Sequence, residues 1–319
     1  MANIINAIQC GTNVKNTGVC DCFLDPKLIT GAILIPKGRV LTQAEVNAIQ
    51  ATLEGLVEDT SANRIYPIQN FVAVTDGSAE PTEQTFGYGS IEPVREGSYN
   101  LTFQYRTGGV NLSNALRSFN GLTAKYAALF IENQNILIGT KKDDATGAVG
   151  VAGVPLEVLY NFPWKVNDGT NLASYRIRFG FRPEWVNENI AFVKVATTDY
   201  MLSELVGLED ITLTINATDE VADTVDITAT TDCGSTNLYD LFADELATPT
   251  AWVVKDAAGN LITHTVAKNT VTEGWTITYT TAELTDGDTI ELAAPTVLAA
   301  APINVSGYES NIVTVVLGS

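Results

Sequence analysis

One histidine, four cysteines and a few paired carboxylates are the residues of this 319-residue chain equipped for chemistry. A hydrolase relay needs an imidazole between nucleophile and carboxylate, and His264 is the sole candidate. Alternation over 261–266 puts Ile262, His264 and Val266 on one face and Leu261, Thr263 and Thr265 on the other, which reads as a structural histidine in a strand. The thiols are Cys10, Cys20, Cys22 and Cys233. The Cys-x-Cys spacing of Cys20 and Cys22 is unusual for structural zinc, and a fourth ligand would have to come from Cys233, so buried free thiols are the preferred reading. Lys141-Lys142-Asp143-Asp144 and Asp286-Gly287-Asp288 offer oxygens to a hard cation but lack the ligand series of a calcium loop; they read as solvated turns. No glycine-rich turn has phosphate-cradle spacing, and residues 147–153 read as a flexible loop inside a mobile stretch, 141–155. No catalytic residue, cofactor or metal is expected, and the chain is read as non-enzymatic.

What remains unusual is a set of arginines: Arg95, Arg106, Arg117, Arg176, Arg178 and Arg182, three of them around one strand. One reading is a solvated outer face. The other is a subunit interface in which they meet carboxylates of a neighbouring copy, since bidentate pairing sets register. Both stay open. The net charge of −19 repels phosphate and limits DNA to a non-specific contact at most.

The elements that position these residues are mainly β. Apolar residues make up 45% of the chain, the level of a globular protein. The first residues lack a basic segment followed by an apolar run, so no signal peptide is expected. No window reaches the ~18 apolar residues of a membrane helix. The protein is expected to be made in a cytoplasm and to stay soluble there, with its cysteines reduced.

Charge is uneven. Residues 207–319 hold 17 acidic and 2 basic side chains, a charge of −15, whereas residues 1–206 carry −4. That step marks a domain boundary. Three segments follow: an N-terminal arm and capped helix over 1–60, a β-sandwich or barrel assembly domain over 61–206, and an acidic domain over 207–319. Residues 1–30 are polar and coreless. A strand is expected from Ala32 to Ile35, then a helix opened by the capping box Thr42 and Glu45, with Val46, Ile49, Leu53 and Leu56 at helical spacing. In the middle segment Tyr99, Leu101, Phe103 and Tyr105 alternate with polar residues. Tyr175, Ile177, Phe179 and Phe181 alternate with Arg176, Arg178, Gly180 and Arg182, so each strand has one buried and one polar face. A short helix from Leu112 to Phe119 is expected to start at Asn111, and 126–131 and 136–138 to form a hairpin. The last segment has about seven short strands, the immunoglobulin-like number, with Trp252 or Trp275 at its centre and no disulfide.

A resemblance accompanies these features. The lead-in Phe86-Gly87-Tyr88-Gly89, then Glu92-Pro93-Val94-Arg95-Glu96-Gly97, runs into the strand YNLTFQY (99–105). The helix NLSNALRSFNG (111–121), the strand pair YAALFIENQNILIGT (126–140) and the ending GYESNIVTVVL (307–317) follow. Over residues 60–319 this order resembles bacteriophage structural proteins of the Bacteroidetes type, in particular tail tube proteins with a C-terminal Ig-like domain. The resemblance implies a virion protein assembled in the host cytoplasm. Its implied partners are copies of itself, in a ring or shell, and other virion proteins, with no membrane. The same ingredients suit a capsid or capsid-decorating protein. A carbohydrate-binding or adhesion module is a third reading, with Tyr160, Phe162 and Trp164 as its platform, although aromatics beside Pro163 read more readily as a packed corner.

Overall fold

A computed structural model of the chain describes residues 28–85, 87, 89, 97–106, 108–166, 174–182, 189–197, 200–232 and 235–317, together with the backbone of 3–6 and 91–95. The fold is mainly β, as the alternating patterns predict. It comprises two compact units, one of residues 1–57 and 61–206, the other of 58–60 and 207–319.

In the first unit, two sheets face each other. The nine-stranded sheet runs Asn3–Asn6, Ile190–Lys194, Ile136–Asp143, Tyr126–Glu132, Ile29–Pro36, Tyr66–Ile68, with short strands alongside. The four-stranded sheet runs Val158–Asn161, Tyr175–Phe181, Tyr99–Tyr105, Phe71–Asp76. Their facing sides share one core, in which Phe103, Phe130, Phe179 and Phe181 meet Leu34, Ile138 and Phe192. Ile33, Ile35, Leu129, Leu137 and Val193 alternate with those residues and are buried too. A sheet buried on both faces reads as a continuous apolar run rather than an alternating one, which is the pattern of 32–35 and 127–131.

That double burial corrects the division at residue 60. Ile29–Pro36 is an interior strand paired to both Tyr126–Glu132 and Tyr66–Ile68, so 1–60 is no separate domain. The start of the expected arm also pairs within the chain, with Asn3–Asn6 antiparallel to Ile190–Lys194. The capping box is present. Thr42 Oγ1 accepts from the Glu45 N–H at 3.3 Å and Glu45 Oε2 accepts from the Thr42 N–H at 2.8 Å, ahead of the helices Gln43–Asn47 and Ile49–Glu58. Val46, Ile49, Leu53 and Leu56 are buried, as their spacing predicts.

Two further expectations change. The helix of the middle segment is Gly109–Arg117 and starts at Gly108, whose φ of 81° only glycine adopts freely, instead of at Asn111. The stretch 141–155 is no mobile loop. Val149–Ala152 pairs antiparallel with Ile136–Asp143, and Val154–Pro155 pairs with Tyr126–Glu132. Its glycines permit close packing: a Cβ on Gly153 would come within 2.6 Å of the Ile35 side chain.

The strand Phe71–Asp76 belongs to a long antiparallel ribbon. Beyond the Phe71–Asp76 pairing with Tyr99–Tyr105, the Gly77 N–H donates to Asn100 O at 2.8 Å and the Ala79 N–H to Ser98 O at 3.0 Å. Thr82–Thr85 then pairs with Ile91–Arg95. The two ends of the four-stranded sheet differ. At Val158–Asn161 the edge is closed: Leu159 O accepts from the Gly121 N–H at 3.0 Å, and Asn120 Oδ1 accepts from the Asn161 N–H at 2.6 Å. At Phe71–Asp76 no strand among the described residues covers the outer side, and Val72 and Val74 are 51% and 47% exposed.

The second unit has a five-stranded sheet, His264–Asn269, Gly274–Tyr279, Thr224–Thr231, Glu209–Asp219, Tyr308–Ser310, and a three-stranded sheet, Trp252–Lys255, Thr289–Leu292, Val313–Thr314. Both tryptophans fill its core, with ring centroids 5.6 Å apart, and each indole N–H finds a carbonyl: Trp252 that of Leu246 at 2.8 Å, Trp275 that of Ala243 at 3.2 Å. Two hairpin tips share one construction. Asp219 Oδ1 accepts from the N–H groups of Val221 and Ala222, and Asn269 Oδ1 from those of Val271 and Thr272. Asp223 and Glu273 then reverse the chain at φ 50° and 51°.

Candidate functional site

The period of two that makes Tyr175–Phe181 a strand sends Ile177 and Phe179 into the core and Arg176 and Arg178 to the outer face of the four-stranded sheet. Val158–Asn161 pairs with it antiparallel, placing Tyr160 opposite Arg178, and the Phe162 N–H donates to Arg176 O at 2.8 Å. Tyr160, Phe162, Arg176 and Arg178 therefore converge. Arg176 Cζ lies 4.9 Å from the Phe162 ring centroid and Arg178 Cζ 5.2 Å from it, while Tyr160 meets the same ring edge-on at 5.0 Å. Each stack contributes on the order of 0.5–1 kcal/mol at a surface.

Neither guanidinium has an ion-pair partner among the described residues, and Arg176 Nε is shielded from solvent with no acceptor. Tyr160 and Trp164 are each 42% exposed. The residues beside Pro163 thus form an open aromatic surface, where the sequence suggests a packed corner. The signal for it is the spacing: 160, 162 and 164 share one period-two series, and 176 and 178 another. A guanidinium stacked on a ring keeps its in-plane N–H fork available to a carboxylate, and Tyr, Trp and Arg are the residues that concentrate binding energy in protein interfaces.

The other four candidate arginines lie elsewhere. Arg106 is exposed just past Tyr99–Tyr105. Arg117 is exposed in the last turn of Gly109–Arg117, where a cation complements the helix dipole. Arg182 is paired to Glu157 at 2.5 Å, both half-exposed. Arg95 ends a strand of the ribbon, and its side chain lies outside the described residues. The six do not form one stripe.

The remaining groups have structural tasks. His264 begins a strand at the edge of its sheet, with Nδ1 3.0 Å from Ile262 O and Nε2 buried without a partner among the described residues. Asp144 Oδ1 accepts from the Thr146 hydroxyl at 2.6 Å, the Thr146 N–H at 2.8 Å and the Ala148 N–H at 3.0 Å, bonds that hold its pKa below the usual value and close the turn of the 141–155 hairpin. Asp288 is fully buried and accepts from the N–H and hydroxyl of Thr285. Among the described residues no three His, Cys, Asp or Glu side chains gather as a metal site. Cys10, Cys20, Cys22 and Cys233 lie outside the described residues. Also among the described residues, no helix is long and apolar enough to cross a membrane. No protein-family model, curated protein or solved structure matches the chain.

Proposed function

We propose that this chain is a structural subunit that assembles with copies of itself in a virus particle, as a phage tail tube protein does, and that it performs no catalysis. The observation that carries the reading is the pair Arg176 and Arg178, stacked on Phe162 without carboxylate partners among the described residues and bordered by exposed Tyr160 and Trp164. A surface of that composition is built to be covered. The open edge at Phe71–Asp76 supports the same reading, because unpaired strand N–H and C=O groups invite a further strand. The order of elements that resembles tail tube proteins supports the virion assignment, with the acidic second unit as an Ig-like decoration.

Light scattering on the full chain, with negative-stain microscopy, tests this. The parent is expected to form regular particles at moderate salt; tubes would match the tail role and closed shells the capsid alternative. Arg176→Glu/Arg178→Glu, with unchanged circular dichroism, is expected to form none. A parent that stays monomeric at every concentration overturns the proposal. Exposure of Tyr160 and Trp164 also favours a glycan-binding reading. Binding on a glycan array that Trp164→Ala abolishes, in a parent that never assembles, would establish that alternative.

A further inference from the structure

A second surface in the first unit is defined by charge. A cleft of about 570 Å3 has a floor of small and apolar residues, Ala127, Ala152, Gly153, Pro155 and Leu156, and four cations around it, Lys37, Lys141, Lys142 and Arg182. Glu157 is the one carboxylate there, and it already meets Arg182 at 2.5 Å. Among the described residues Lys37 Nζ reaches only a carbonyl, Thr123 O, at 3.4 Å. Lys141 and Lys142 have no ion-pair partner among the described residues. In a chain of net charge −19 with 18 basic residues, gathering four of them at one apolar-floored cleft calls for an anionic occupant with an apolar tip.

The second unit carries such a feature. The hairpin tip between Glu209–Asp219 and Thr224–Thr231 places Asp219, Glu220 and Asp223 within five residues around Val221, which is 96% exposed. Asp219 holds the turn together, leaving Glu220 and Val221 to point outward. The tip built the same way at 269–273 has an exposed valine, Val271, but a single carboxylate, Glu273. Only the first combines a bare apolar side chain with concentrated negative charge.

We infer that the cleft bordered by Lys141 and Lys142 receives the 219–223 hairpin tip of a second copy of this chain, with Val221 against the apolar floor and Glu220 against the lysines. The inference rests on the self-assembly reading and names a contact within it. Two different patches meet in this contact, so each copy offers one of each, and the association either runs on head to tail or closes reciprocally, each tip in the other copy's cleft. Its lysine–carboxylate component weakens with salt.

Complementary variants of the full chain test it by sedimentation velocity at low salt, all in the Arg176→Glu/Arg178→Glu background so that the aromatic surface contributes nothing. Lys141→Glu/Lys142→Glu removes the cleft and Glu220→Ser/Val221→Ser removes the tip; circular dichroism verifies the fold of each. Alone, each variant is expected to self-associate at least roughly tenfold more weakly than the background protein, about 1.4 kcal/mol. Mixed one to one, they are expected to form a two-chain complex and nothing longer, since one intact tip meets one intact cleft. Variants that associate as well as the background protein, or a mixture that gives no complex, overturn the inference. So does a labelled single-stranded DNA that binds the background protein and is released by Lys141→Glu/Lys142→Glu, because the cleft would then track phosphates. If the cleft variants fail these tests while particles still depend on Arg176 and Arg178, this contact is wrong and the assembly reading stands.

Discussion

Asn135 donates from Nδ2 to the backbone carbonyl of Tyr200 at 2.6 Å, across 65 residues of sequence. The same amide donates to Val195 O at 3.1 Å and accepts from the Leu202 N–H at 2.8 Å, and Gln69 Nε2 donates to Leu202 O at 2.9 Å. Asn135 is buried and sits at φ 64°, in the left-handed region that asparagine tolerates better than most residues. One residue both turns the hairpin and anchors the chain where the first unit ends.

Replacing it separates the two tasks. Asn135→Ala removes three hydrogen bonds and keeps the unfavourable φ, so a loss of roughly 3 kcal/mol in urea unfolding is expected. Asn135→Gly removes the same bonds but accepts the φ freely and is expected to be about 1 kcal/mol less damaging. Equal losses would show that the backbone conformation contributes nothing.

A second buried network joins the four-stranded sheet to the helix Gly109–Arg117. The Tyr105 hydroxyl donates to Asn161 Oδ1 at 2.9 Å, and Asn161 Nδ2 donates to Ser113 O at 2.8 Å. Tyr105→Phe leaves one acceptor unpaired and is expected to cost about 1–2 kcal/mol, while Asn161→Ala strands groups on both sides and is expected to cost more. In a double-mutant cycle the pair should cost less than the two single losses together; strict additivity would refute the coupling.

Glu45 gives a pH test. Burial raises its pKa, but the Thr42 N–H and the Arg39 guanidinium together outweigh this and hold it below the usual value. A carboxylate whose folded pKa is depressed stabilises above its unfolded pKa, near 4.5, and the contribution fades as pH falls through the folded value. At pH 7, Glu45→Ala is expected to cost roughly 0.5–1.5 kcal/mol, because the Thr42 N–H and Arg39 lose their carboxylate while Thr42 Oγ1 still caps the helix. Thermal melts of parent and variant should converge toward pH 3. A difference that persists in acid would mean that Glu45 acts through packing and not through its charge.

Legibility follows from range. The faces of Tyr99–Tyr105 and Tyr175–Phe181, the capping box at Thr42 and the tryptophan core were readable because each depends on residues within a few positions of one another. The hairpin over 141–155 was not. Its glycines resemble a flexible linker until Ile35 and Ala127, 118 and 26 residues upstream of Gly153, show why no Cβ fits there. The arginine candidates divide for the same reason: Arg176 and Arg178 share a face by local alternation, whereas the ring that gathers them, Phe162, arrives from the neighbouring strand. The bare valine at 221 gave no signal in composition, since exposure is set by the tertiary fold.

The management of strand edges bears on how the protein survives before it meets a partner. The Val158–Asn161 edge is sealed by Asn120 and Gly121, Ile190–Lys194 is covered by Asn3–Asn6, and Tyr66–Ile68 is three residues long and contains Pro67. Among the described residues, Phe71–Asp76 is then the longest strand left uncovered at an outer edge of the facing sheets, longer than the four-residue Asn3–Asn6, and it displays Val72 and Val74. An edge of this kind is also a template for amyloid-like stacking. Its hazard depends on concentration, so storage at high concentration, or in acid where the carboxylates that keep copies apart are neutralised, is the condition in which disordered precipitate should outcompete ordered growth.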